Sequence, residues 1–205
     1  MTHTGELRGP PRRRKRDPKG TRDRLVRAAL ELFTTKGFHG STTPRIAARA
    51  GIAEGTIYRH FESKAHLLNE IYRAGSRMVT SVISRGPEGL PTREQLRSVA
   101  AEWRTIAYQN PPLMRLMFSS DLQQHLDQKS IEALRRFRNE LERVVAQCKS
   151  SGDVKAGSVE LWTDVWLRLV ILVLERTAAG EWPLNHPAAD LVLEGAWAAI
   201  SVPGR

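Results

Sequence analysis

The stretch TTPRIAARAGIAEGTIYRHFESK, residues 42–64, constrains this chain more than any other. Thr43 followed by Pro44 marks a helix start, because a hydroxyl satisfies an orphan amide and proline brings none to the first helical position. Ile46, Ala47 and Ala50 then form one narrow apolar face. Gly51 stops the helix, since glycine enters the left-handed region without a Cβ penalty. Ile52 is left to fill the gap before a second short helix, which runs from Ala53 or Glu54 to His60. On that helix Ile57 and Phe61, four residues apart, face inward, while Thr56, Tyr58, Arg59 and His60 turn outward. Two short helices at a tight turn, the second with a polar, aromatic and cationic outer face, fit a helix-turn-helix entering a DNA major groove. Gly55 is expected to let backbone approach backbone.

The charge distribution agrees with that expectation. The 205 residues carry a net charge of +10, and the basicity is local: residues 1–74 hold 16 Lys and Arg against 7 Asp and Glu, the remainder 16 against 15. Positive charge confined to the part with the helix-turn-helix points to double-stranded DNA more than to a membrane surface. Residues 1–20, ending in RGPPRRRKRDPKG, are too polar and too rich in Pro, Gly and Arg to bury a core. Two readings of this arm stay open: a disordered solubilising tail, or a segment whose Arg12, Arg13, Arg14, Lys15 and Arg16 add phosphate or minor-groove contacts.

Helical periodicity runs through the rest of the chain. A first helix from about Thr21 places Leu25, Ala28, Ala29, Leu32 and Phe33 on a core stripe, ends at Lys36 and Gly37, and folds Phe38 back. Ser63 caps a helix through Leu67, Leu68, Ile71 and Tyr72. The Gly- and Pro-rich run from Arg85 to Pro91 breaks the chain, and Thr92 is placed to cap the next helix, which Pro111 and Pro112 end. Further helices are expected at about 129–149, 158–179 and 187–201, the second apolar nearly all round between Leu161 and Leu174. That run is too short and too interrupted by Thr163, Asp164 and Arg168 to span a bilayer. With no secretory signal visible and a single cysteine, Cys148, a cytoplasmic protein is expected.

The run from Arg22 to Phe33, then Gly37-Phe38, Thr42-Thr43, Ile46-Ala47, Ala50-Gly51-Ile52, Gly55-Thr56-Ile57-Tyr58-Arg59-His60-Phe61 and Ser63-Lys64, resembles the N-terminal DNA-binding domain of TetR-family transcriptional regulators. The resemblance implies an all-α fold. It comprises a helix-turn-helix domain over residues 21–66 and a helical regulatory and dimerisation domain over 67–205. It also implies DNA contacts from Thr42, Thr43, Arg45, Glu54, Gly55, Thr56, Tyr58, Arg59, His60 and Lys64. Three departures stand out: Ala53 replaces a frequent serine cap, Glu54 puts an acid near the DNA face where it would shape base preference, and Ala65-His66 follows Lys64 where an acidic residue is usual, so no capping box is expected.

In such proteins the last two long helices of each subunit form an intermolecular four-helix bundle, here with Glu194, Gly195, Ala196, Ala198 and Ala199 permitting close approach. A homodimer is expected, because one short recognition helix reads only a few base pairs. A pocket for an apolar or aromatic effector is expected from Trp103, Met114, Met117, Phe118, Trp162 and Trp166, with Arg104, Gln109 or Asp164 as orienting groups. Those side chains equally suit a plain core. Asp164 and Arg168 are spaced to pair with each other. The histidines and Cys148 show no metal-ligand spacing, and no nucleophile or phosphate-loop motif appears, so neither enzyme nor cofactor is expected. The expected function is that of a repressor released from a palindromic operator by its ligand. The alternative is an architectural or division-control protein on the same scaffold, governed by protein contacts or spreading on DNA.

Overall fold

The computed structural model describes residues 18–85 and 92–203, and these contain ten helices. They are α1 (Pro18–Gly40), α2 (Thr43–Ala50), α3 (Glu54–Ile57), α4 (Lys64–Ser84), α5 (Thr92–Gln109), α6 (Pro111–Phe118), α7 (Ser120–Gln123), α8 (Gln128–Ser150), α9 (Val159–Ala178) and α10 (Pro187–Ile200). The basic run Arg12–Arg16 and most of the breaker, residues 86–91, lie outside the described residues. Residues 18–20, assigned to the arm from composition, are the first turn of α1.

The N-terminal head is α1 to α3. Leu25, Ala28, Ala29, Leu30 and Phe33 of α1 are buried, with Leu30 deeper than the expected Leu32. At Gly37 the backbone turns to φ 70° and the regular helix stops, which lets Phe38 stack on Phe33 with ring centroids 5.9 Å apart. Ile46, Ala47, Ala50, Ile57 and Phe61 close this small core, as their spacing predicts. The α2 start differs from expectation. Thr42 is the cap residue, without a side-chain cap bond, and Thr43 and Pro44 occupy the first turn.

From the head, α4 runs without interruption into the body. Its start is capped by the Ser63 hydroxyl, which accepts from the His66 amide at 3.0 Å. The side chain at the third position reaches back as in a capping box, but to the residue before the cap: His66 Nδ1 accepts from the Glu62 amide at 3.2 Å. Further along, Leu67, Leu68, Ile71 and Tyr72 are buried near the head and Val79, Val82 and Ile83 in the body. The hydrophobic core is continuous from Leu25 to Ile200, so the boundary drawn at residue 66 falls inside a helix and inside one core.

In the body, α4 packs on α8, and α9 packs on α10, α5, α6 and α8. Trp103 of α5 is fully buried and donates its indole N–H to the Val79 carbonyl at 3.0 Å. Thr92 begins α5 instead of capping it. Pro111 and Pro112 do more than end α5, because Asn110 accepts from the Leu113 amide at 3.4 Å and Pro111 opens α6. At the far end, the Lys155 amide donates to the Ile200 carbonyl and the Val202 amide to the Asp153 carbonyl, both at 2.9 Å, closing the chain end onto the α8–α9 turn. Among the described residues no helix is long and apolar enough to cross a membrane.

Candidate nucleic-acid interface

The predicted DNA-contacting residues lie in or beside α2, α3 and the first turn of α4. Tyr58 is 55% exposed, and its hydroxyl lies 3.1 Å from the Thr43 hydroxyl, so a side chain after α3 is steadied by the first turn of α2. Thr42, Glu54 and Arg59 are exposed, and Thr56 and His60 half-buried. Arg45 is exposed and donates to the Gly40 carbonyl at 2.9 Å, which leaves further guanidinium donors for a partner.

The recognition element is shorter than the spacing predicts. Regular α-helix covers Glu54–Ile57, and the chain then winds more tightly, with the Arg59 amide donating to Thr56 and the His60 amide to Ile57. This tightening fits a helix too short to be stable alone and ended by a Phe61 that must turn into the core. Ala53 leaves the helix start without a side-chain cap, as its apolar side chain requires. Gly55 is not where backbone meets backbone in this chain, since a methyl group there would find no atom within 4 Å. The space above it is open.

Lys64 has a different environment from the other predicted contacts. Its ammonium donates to the Phe38 carbonyl at 2.7 Å and sits 4.0 Å from the centre of the Phe38 ring, and burial pushes it below the ordinary lysine value. His125 stacks on the same ring, with centroids 4.1 Å apart. Asn69, buried in α4, donates to the His125 carbonyl at 3.1 Å and accepts from the Asp127 amide at 2.8 Å. Arg22 pairs with Glu70 and lies 5.0 Å from the Phe61 ring centre. The start of α4 is therefore held to α1, to the α1–α2 turn and to the segment before α8. Linear spacing offered no signal for Phe38 or His125 as partners of Lys64, since 26 residues separate Lys64 from Phe38.

A model of the bacterial regulatory proteins of the tetR family matches residues 25–71, which run from within α1 through α2 and α3 into α4. The fatty acid metabolism regulator protein of Bacillus subtilis (strain 168) is 26% identical over 174 residues, 82% of this chain and 86% of that protein. A TetR family protein from Vibrio parahaemolyticus superposes with a TM-score of 0.65 at 26% identity, over 89% of this chain and 99% of that one. Over residues 25–71 the chain matches the tetR family of bacterial regulatory proteins. The nucleoid occlusion factor SlmA of Photobacterium profundum is also similar, 27% identical over 133 residues, 62% of this chain and 68% of that protein. The matched segment, residues 25–71, is the helix-turn-helix of a DNA-binding transcriptional regulator.

In the body the six residues named for an effector pocket do not form one wall. Met117 and Phe118 line a cavity of about 180 Å³ between α4, α6, α8 and α9, together with Tyr72, Leu134, Phe137, Leu167 and Ile171. Met114 and Phe118 border a second space of about 210 Å³ beside Leu174 and Ala178. Trp103 and Trp166 are packed behind these, 6.2 Å apart, as core. Trp162 stands apart, donating to the Ala156 carbonyl at 3.2 Å against Gly157. Of the orienting groups, Arg104 is buried elsewhere, donating to Asp190 at 3.3 Å and to the Pro183 carbonyl at 3.0 Å, and Gln109 is exposed. Asp164 does line the first cavity, but it pairs with Arg138 at 2.8 Å and not with Arg168. Tyr72, spaced as core, is also part of the lining.

Proposed function

We propose that the chain is a cytoplasmic homodimeric repressor that binds a palindromic operator through Thr42, Thr43, Arg45, Glu54, Gly55, Thr56, Tyr58, Arg59 and His60, and leaves it when a small apolar or aromatic effector enters the body. The supporting observation is the path of α4. One end of this helix holds the α1–α2 turn through Lys64, and eight residues on, about 12 Å along the axis, Tyr72 lines the cavity. A ligand that favours one position of α4 therefore biases the head as well, and it needs only a difference in affinity between the two states. Lys64 positions the head in this reading, with a phosphate contact as a second role.

The two heads would be set by a dimer through α9 and α10. Leu161 and Leu172 of α9 and Leu191 of α10 are exposed at 51%, 37% and 74%. Gly195 and Ala198 extend the exposed face of α10, whereas Ala196 is buried in its own subunit and Glu194 pairs with Arg93 at 2.6 Å. A two-fold dimer would set its recognition elements one helical turn apart, about 34–36 Å, or at a related spacing.

Selection of genomic fragments by the full chain, followed by footprinting, tests the proposal. A compact palindrome is expected, with affinity reduced at least about tenfold in Tyr58→Ala, the range for losing a few groove contacts. The similarity to a nucleoid occlusion factor makes the other outcome specific. A long footprint without a palindrome, insensitive to Tyr58→Ala, would replace the repressor by a protein that acts through spreading on DNA.

A further inference from the structure

The cavity between α4, α6, α8 and α9 has a graded polarity that narrows its occupant. At its inner side is the Tyr72 side chain, fully buried, whose hydroxyl has no hydrogen-bond partner among the described residues. Burial pushes this phenol up to about 12, so it stands as a neutral donor. Buried donors are nearly always paired, and one left unpaired favours any arrangement that brings it an acceptor. Most of the remaining lining is apolar, from Met117, Phe118, Leu134, Phe137, Leu167 and Ile171, with Ser120 and Gln123 as two polar additions, the Gln123 amide already donating to the Met117 carbonyl at 3.1 Å. Met117 also lies against Gly75, and its flexible thioether can yield to an entering group.

The outer side is charged. Arg138, Asp164 and Arg168 line it, the last two exposed. Arg138 is answered by Asp164 at 2.8 Å and by Glu142 at 3.6 Å. Arg168 has neither an ion pair nor a hydrogen bond among the described residues. A cationic ligand would find only Asp164, already held by Arg138, whereas an anion finds a free guanidinium. The volume of about 180 Å³ suits a small body, given that a cavity of about 150 Å³ takes up benzene.

We propose that this cavity binds an anionic amphiphile with a hydrogen-bond acceptor at its apolar end: the acceptor meets the Tyr72 hydroxyl, a single ring or chain of roughly six to eight carbons fills the middle, and the anion pairs with Arg168. The inference rests on the effector-responsive reading above and gives that effector its chemical class.

Titration calorimetry of the full chain with n-octanol, n-octanoate and 7-oxooctanoate separates the contributions. Octanoate is expected to bind about tenfold more tightly than octanol, and Arg168→Gln to abolish that difference. 7-Oxooctanoate is expected to gain roughly a further tenfold over octanoate, a gain absent in Tyr72→Phe. Tyr72→Phe also removes an unpaired buried hydroxyl, so its thermal midpoint without ligand should be equal or higher, showing that a lost gain is not a folding defect. Equal binding of alcohol and acid, a preference that survives Arg168→Gln, or absence of binding by all three would overturn the proposal. Operator release, measured in parallel with the same compounds, tests the other reading separately. If octanoate binds with the expected dependence while DNA stays bound, the cavity assignment stands and release by ligand fails.

Discussion

Gly55 separates the demands of folding from those of DNA binding at a single residue. Inside the chain nothing requires a glycine there, since its backbone is not in the left-handed region and no atom lies within 4 Å of the missing methyl. Gly55→Ala should leave stability unchanged or raise it by up to about 1 kcal/mol through helix propensity. Operator affinity should fall, because the methyl group occupies space that a DNA backbone needs. Thermal unfolding and DNA titration of one preparation check both. Equal affinity for wild type and variant would remove Gly55 from the interface. Gly51 is the opposite case, held at φ 66° where its amide donates to the Ala48 carbonyl, so its role was legible from the chain alone.

At the scale of elements, the informative contacts are those of α4 with its neighbours. Gly75 brings α4 against α6, and a methyl group there would stand 2.7 Å from Leu113 Cδ1 and 2.8 Å from Met117 Sδ. Gly75→Ala should therefore destabilise by about 1–3 kcal/mol, the usual cost of overpacking, as read by urea unfolding. An unchanged midpoint would mean that α6 yields freely. No periodicity marks Gly75, because the contact is between helices about forty residues apart.

The Asp127 cap of α8 adds a pH dependence. Burial acts to raise its carboxyl, but bonds from Ser130 and Arg73, the latter at 2.9 Å, outweigh it and hold the group below the ordinary value of 3.8. A depressed carboxyl contributes stability that is present above the unfolded value and lost as pH falls through the folded one. The stability difference between wild type and Asp127→Asn should thus be full at neutral pH, narrow below about pH 3.8 and vanish at lower pH, as followed by denaturant unfolding at a series of pH values. A difference independent of pH would assign the cap to neutral hydrogen bonding.

For the whole molecule, the exposed leucines of α9 and α10 carry the oligomeric prediction. A charged group in place of one of them would be desolvated in a helix-on-helix interface but harmless on a monomer surface. Leu191→Glu should convert a dimer to a monomer in sedimentation at micromolar concentration, with operator affinity lost while helix content remains. A variant that sediments as wild type would move the interface elsewhere. The near-uniform apolarity of Leu161 to Leu174 pointed to burial on more than one side, and one subunit leaves Leu161 and Leu172 uncovered.

Local rules were sufficient for the outline of the head: Pro44, Gly51, Ser63 and the spacing of Ile57 and Phe61 act within one or two turns, so the helix-turn-helix and the exposure of Tyr58 and Arg59 could be read directly, though not the short span of α3. Helical periodicity marked most helix limits, and the all-α class came with the family resemblance. Local rules could not say that Lys64 turns in to Phe38, that Asp164 prefers Arg138 to Arg168 four residues away, or that Tyr72 and not the tryptophans lines the cavity. Each of those depends on which helices meet and at what rotation. Hydrophobic patterning specifies that a face is buried, but only the packed helices decide what it is buried against.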